Sequence, residues 1–191
     1  DVPSPHPDAK STLTLRCMNG KAYMIKTVHA CECPQHAIAR QVLGPQCIVR
    51  GWSCGICAGG RCSVAMKYEG DDLLDATNDR ARPLTCVEAL RALACAADDV
   101  RCLNEAGFVH GDVKPDNILR NGKGLIDFGS LCELGRRTLL DGKTPGYFKP
   151  SMIGARLTPA FDCYSLAVTC GCVLLGGIQP PDNVELDAAS A

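Results

Sequence analysis

The stretch HGDVKPDNIL, residues 110–119, sets His110, Asp112, Lys114, Asp116 and Asn117 within eight positions. A plain surface turn has no need of so many ionisable and amide groups, and the Ile118-Leu119 pair that follows reads as the start of a short strand. Just downstream, GLIDFGS (124–130) places Asp127 directly after an apolar run and before Phe128 and Gly129. Two acidic loops this close together point to one shared ligand.

Upstream of these loops, TCVEALRALACAADDVRCLNEAG (85–107) carries Val87, Leu90, Leu93, Ala94, Ala97, Val100 and Leu103, and Gly107 ends it. That spacing predicts one long amphipathic helix with these residues as its apolar stripe. Residues 110–129 then predict a loop and two short strands about the turn NGKG. Nearer the start, TLTLRC (12–17) and KAYMIKTV (21–28) flank Asn19-Gly20, the dipeptide of two-residue hairpin turns. Residues 34–43 predict a helix stopped by Gly44-Pro45, and CIVRGWSC and GRCSVAMKYEG predict two further strands about a Gly-rich turn. The most apolar stretch, 163–178, is short for a membrane span and predicts a buried helix. The expected fold class is α+β, sheet-rich before about Tyr68 and helix-rich after it.

With 191 residues, 46% hydrophobic content and a net charge of −1, the chain is expected to form one compact unit or two lobes sharing a cleft. No basic stripe offers nucleic acid or a membrane surface a partner. The four His are scattered, which excludes the zinc-protease and zinc-finger patterns. Of the 14 Cys, Cys86, Cys95, Cys102, Cys163, Cys170 and Cys172 lie in apolar stretches and read as buried, reduced thiols of an intracellular protein, in cytoplasm or nucleus. Cys54 and Cys57, with Cys62 and Cys47 near, have zinc-like spacing, but a lone CxxC is weak against the reading of small apolar residues in strands. No cleavable signal stands in DVPSPHPDAK, and residues 1–11 are expected to be a flexible lead-in. A chain beginning with Asp reads as a processed form or a fragment.

A nucleoside triphosphate with a divalent cation gives every group in the two loops a use. Asp112 can take the proton of a substrate hydroxyl, Lys114 can neutralise the transferred phosphoryl group, and Asn117 with Asp127 can hold the metal.

These motifs resemble a protein kinase catalytic domain of the serine/threonine type. HGDVKPDN is similar to the family's catalytic loop, IDFG to its metal-binding Asp-Phe-Gly, and KTPGYFKPS to the segment before Ala-Pro-Glu. AYMIK resembles the strand of the nucleotide-binding lysine, here Lys26, and VAMKYEGDDLLD the hinge. Met66 then falls at the gatekeeper position, Lys67 to Glu69 supply backbone partners for adenine, and Leu119 joins the nucleotide site. DCYSLAV resembles the start of the buried helix whose Asp, here Asp162, braces the catalytic loop. Lys114-Pro115 and Thr144 match enzymes acting on serine or threonine. The resemblance implies a bilobal kinase fold, with residues 1–67 as a small N-lobe and 68–191 as hinge and shortened C-lobe lacking the last helices. ATP and Mg²⁺ follow as cofactors and a protein hydroxyl as substrate.

Several positions depart from the family pattern. No Gly-x-Gly-x-x-Gly precedes Lys26, and Met24 stands where a small Ala is usual. Gln35 stands where a Glu should pair with Lys26, with Glu32 one turn earlier as the alternative partner. Gly111 replaces the Arg that clamps a phosphorylated activation loop, so no charge is expected to wait there, and Ser151 replaces the Glu of Ala-Pro-Glu. The apolar helix near the C-terminus calls for cover from a partner protein, a dimer mate or further chain. Compact kinases of this kind resemble those of large DNA viruses and bacterial effectors. The alternative function is a kinase-like decoy that binds a partner kinase. An aminoglycoside-type phosphotransferase shares HGD-x-x-x-x-N, but Lys114-Pro115 and KTPGY argue against it.

Overall fold

The computed structural model describes residues 12–29, 32–53, 61–138 and 143–180. The chain divides into two units, Asp1–Tyr68 and Glu69–Ala191.

In the first unit, strands β1 (Thr12–Met18), β2 (Lys21–His29), β3 (Val49–Ser53) and β4 (Arg61–Lys67) form an antiparallel sheet in the order β1-β2-β4-β3. The β1–β2 turn is the one predicted: Asn19 and Gly20 both take positive φ, 50° and 71°, which matches the twist of paired strands. This turn fixes a register that sets Leu15 opposite Met24 and Leu13 opposite Lys26, while β4 sets Met66 and Val64 against the same two residues. Helix α1 (Cys33–Leu43) begins with Pro34 in its first turn, ends at Gly44 and packs against β3 and β4. It buries Cys33, His36, Ala39 and Leu43, while Val28, Val49, Cys62 and Val64 are buried on the sheet. The zinc-like pair Cys54 and Cys57 lies outside the described residues, whereas Cys47 and Cys62 are buried.

The second unit holds α2 (Leu73–Asn78), α3 (Cys86–Glu105), a two-stranded ribbon of β5 (Phe108–Val109) and β6 (Cys132–Glu133), and α4 (Ala160–Leu174). A reciprocal capping box starts α3, with Thr85 Oγ1 accepting from the Glu88 N–H and the Glu88 carboxylate accepting from the Thr85 N–H. The buried stripe of α3 keeps Leu93, Val100 and Leu103 of the predicted one but departs from it in the first turns. Val87 and Leu90 are 65% and 56% exposed, and the buried line runs through Ala89, Ala92, Leu93, Ala96, Val100 and Leu103. Three alanines let the backbone approach its neighbours, so small residues rather than the largest set the phase of the packed face. The two short strands expected around residues 118–126 reduce to a single bridge between Ile118 and Leu125.

Helix α4 is only partly covered within the described residues. Asp162, Ser165, Thr169, Cys172 and Val173 are buried, but Leu174 and Leu175 at its end are 54% and 67% exposed. The cysteines expected to be buried also divide: Cys172 is buried, Cys95, Cys102 and Cys170 are half-buried, and Cys86 and Cys163 are exposed, because helices turn them outward. None of these is in a disulfide. Among the described residues no helix is long and apolar enough to cross a membrane.

One buried carboxylate makes this unit sensitive to pH. Asp99 is buried on α3 and its Oδ2 accepts from the Leu125 N–H at 2.8 Å, which ties α3 to the strip after the charged loop. Burial pushes its carboxyl from the ordinary 3.8 up to about 6, against the Leu125 bond that lowers it. A raised acid binds its proton more tightly when folded, so this contribution to stability is full below 3.8 and is lost as pH rises through about 6. A difference of that size amounts to roughly 2–3 kcal/mol. Urea melts between pH 4 and 7 are expected to give a shallower pH slope for Asp99→Asn, which keeps an acceptor for Leu125, than for the wild type.

Candidate active site

The charged loop leaves β5, and one carboxylate of α4 shapes it. Asp162 is fully buried, and its Oδ2 and Oδ1 accept from the backbone N–H groups of His110 and Gly111 at 2.7 and 3.0 Å. Asn104 of α3 adds a donor at 3.4 Å. His110, also fully buried, has Nε2 3.0 Å from the Ile126 carbonyl, and its ring meets Phe128 edge-on with centroids 5.4 Å apart. The two loops picked out in the sequence are therefore fastened to each other through His110.

Asp112 and its neighbours form one hydrogen-bonded cluster. Oδ1 of Asp112 accepts from the Thr144 hydroxyl at 2.7 Å, and Oδ2 lies 3.2 Å from Lys114 Nζ and 3.1 Å from Asn117 Nδ2. Lys114 also donates to Thr144 Oγ1 at 2.9 Å, and Asn117 to the Asp112 backbone carbonyl at 2.8 Å. The Asp112 and Lys114 side chains keep 14% and 22% exposure, enough for an incoming group to reach them. The short 3₁₀ turn Pro115–Asn117 brings Asn117 back onto Asp112, with Pro115 opening the turn.

Asp127 adopts a left-handed conformation, φ 58° and ψ 72°, with Oδ1 accepting from the Gly129 N–H at 3.4 Å. That region is costly for most side chains and least so for Asp and Asn, and strain of this kind gathers where a side chain must be aimed. Phe128, fully buried behind it, anchors the turn.

Leu119 is buried and bridges Asp72, while Arg120 N–H donates to the Asp71 carbonyl at 3.0 Å. Arg120, only 6% exposed, reaches Glu88 with its side chain and donates to the Arg82 and Pro83 carbonyls at 2.9 and 3.2 Å. With the Thr85 N–H first and Arg120 second, these donors hold the Glu88 carboxyl down at about 2. The Glu69 carbonyl accepts from Asn121 Nδ2 at 2.7 Å.

In the first unit, Lys26 is buried midway along β2 and Met66 is buried on β4. The Lys67 N–H donates to the Ile48 carbonyl at 2.9 Å, so it belongs to the sheet ladder rather than to a ligand. Glu32 stands at the N-cap of α1, outside the helix proper, and Gln35 lies in its first turn.

The sequence marks Thr144 only as a serine/threonine trait, and its bridge between Asp112 and Lys114 was not legible there. Lys143 was missed altogether. A cation does stand beside Gly111, because Lys143 Nζ donates to the Gly111 carbonyl at 2.8 Å.

A charged loop braced by an α4 carboxylate, a second loop with a left-handed Asp, and a sheet-rich N-terminal part with a helical C-terminal part define a protein-kinase-like fold. The protein kinase domain family matches residues 48–187, and the chain belongs to that family. It is 35% identical over 149 residues to the serine/threonine-protein kinase PknK of Mycobacterium bovis, across 74% of this chain and 13% of that protein. It is likewise 35% identical over 129 residues to the serine/threonine-protein kinase MRCK gamma of Mus musculus, across 59% of this chain and 8% of that protein. The chain thus spans about an eighth or less of the length of these relatives. The solved structure of the Cydia pomonella granulovirus kinase PK-1 shares the fold, with a TM-score of 0.67 over 90% of this chain and 67% of that chain at 21% identity.

Proposed function

We propose that the chain is a serine/threonine protein kinase that transfers the γ-phosphoryl group of ATP, with Mg²⁺, to a protein hydroxyl. The observation that carries this reading is the place of the Thr144 hydroxyl, 2.7 Å from Asp112 Oδ1 and 2.9 Å from Lys114 Nζ. The cluster already holds an aliphatic hydroxyl between a carboxylate and an ammonium. A substrate hydroxyl offered to the same carboxylate gives up its proton to Asp112, and Lys114 sets its charge beside the transferred group.

The donor set fits Mg²⁺. Asn117 spends its Nδ2 on Asp112, which turns its carbonyl Oδ1 away as an oxygen ligand, and Asp127 supplies a carboxylate from its strained turn. One amide and one carboxylate suit a cation that keeps waters and phosphate oxygens as its other ligands. When bound, Mg²⁺ offsets the charge that develops on the phosphates. Lys26 serves the nucleotide phosphates, and Met66, Lys67, Glu69 and Leu119 serve the adenine end.

The test is transfer of labelled phosphate from Mg-ATP to a basic protein, wild type against Asp127→Asn. Loss of about 10²-fold or more in the variant is expected from removing a charged metal ligand. Equal labelling by both proteins would overturn the reading.

A further inference from the structure

Gly111 and Lys143 fit each other in a way that the proposed chemistry does not require. Gly111 sits at φ +83°, and a Cβ there would lie 2.6 Å from both Lys143 Nζ and the Ser130 carbonyl oxygen. Any other residue would strain the loop and displace the lysine. Lys143 fills the space so left: its ammonium donates to the Gly111 carbonyl at 2.8 Å on one side and lies 5.4 Å from the centroid of the Phe161 ring on the other. The peptide groups at Gly111 are therefore gripped from both sides, the N–H by Asp162 and the carbonyl by Lys143. Burial depresses the lysine's basicity, and Cys132, Asp112 and Asp162 oppose that shift.

The next residue along completes the arrangement. Thr144 bonds Asp112 while Lys143 bonds Gly111, so two successive residues of one segment engage two successive residues of the charged loop. A single hydrogen bond leaves a segment free to swivel about it, and a second, adjacent one fixes register. Beyond this pair, Ser165 Oγ donates to the Tyr147 carbonyl at 2.7 Å and Phe148 stacks on Phe161, so α4 holds the far end.

We infer that Lys143 is a positioning residue, a latch built into the chain that docks residues 143–148 on the charged loop at Gly111 and so holds Thr144 and Asp112 in working register without a modification of the segment. Its effect on turnover rests on the kinase reading, whereas the docking itself does not.

The experiment pairs amide hydrogen exchange across residues 143–148 with steady-state kinetics for wild type, Lys143→Met and Lys143→Arg. The methionine keeps length and removes the donor, and the arginine keeps a donor. Lys143→Met is expected to speed exchange in this segment about tenfold, with α3 unchanged, and to lower kcat about tenfold with KM for ATP within twofold. Lys143→Arg is expected to restore most of both. Unchanged exchange in Lys143→Met overturns the latch whatever the kinetics, and faster exchange with unchanged kcat overturns its positioning role. A wild type that transfers no phosphate refutes the kinase reading, and the exchange arm still decides the docking.

Discussion

Asp112→Ala is expected to lower phosphotransfer by about 10³-fold or more while the protein stays folded. The carboxylate is the shared acceptor for Thr144, Lys114 and Asn117, at 2.7, 3.2 and 3.1 Å, so its loss removes the proposed base and releases the three side chains that it organises. A loss of 10³ corresponds to about 4 kcal/mol of transition-state stabilisation, within the range a positioned general base supplies. The cluster is partly exposed, so water can satisfy the released donors and the cost to stability is expected to stay near 1 kcal/mol. Asp112→Asn separates the two effects, because its amide oxygen can still accept from Thr144 but cannot take a proton. Activity is read as labelled phosphate on a basic protein and folding as the thermal midpoint. Near-wild-type transfer by Asp112→Ala would remove Asp112 from the chemistry.

The second large effect concerns stability. Asp162→Ala removes the acceptor of two buried backbone N–H groups, on His110 and Gly111, and a carboxylate that supports the nearby Lys143 ammonium. Each buried donor left without a partner costs about 1–3 kcal/mol, which gives roughly 2–6 kcal/mol for the two. For a chain of this size, at about 2–4 °C per kcal/mol, the midpoint is expected to fall by roughly 4–24 °C. Asp162→Asn keeps one acceptor oxygen and is expected to lose about half as much. A drop under 3 °C for the alanine variant would mean that water replaces the carboxylate, and the loop would then need another account of its geometry.

How much of this was legible beforehand can be read residue by residue. The hairpin was legible to its turn, because Asn-Gly encodes two positive φ values locally. The length of α3 was legible to within two residues, and so were Leu93, Val100 and Leu103 on its buried face, whereas weighting large apolar residues promoted Val87 and Leu90 over the alanines that pack. Asp112, Lys114, Asn117 and Asp127 stand out as charged and amide groups beyond what a surface turn needs, and the first three share one cluster. Lys143 had no such signal, for a lysine before Thr-Pro-Gly in a polar stretch looks like any solvated cation.

The sequence by itself determined the order of elements, the family and the identity of the charged groups, because periodicity, turn residues and short motifs are properties of neighbours in the chain. Only the tertiary structure decided which residues pack in the first turns of α3, that Asp162 of α4 supports the loop 51 residues before it at Gly111, and that Lys143 fills the space glycine leaves there. Such pairings depend on distances across the fold, where burial removes water as the competing partner and makes each hydrogen bond count.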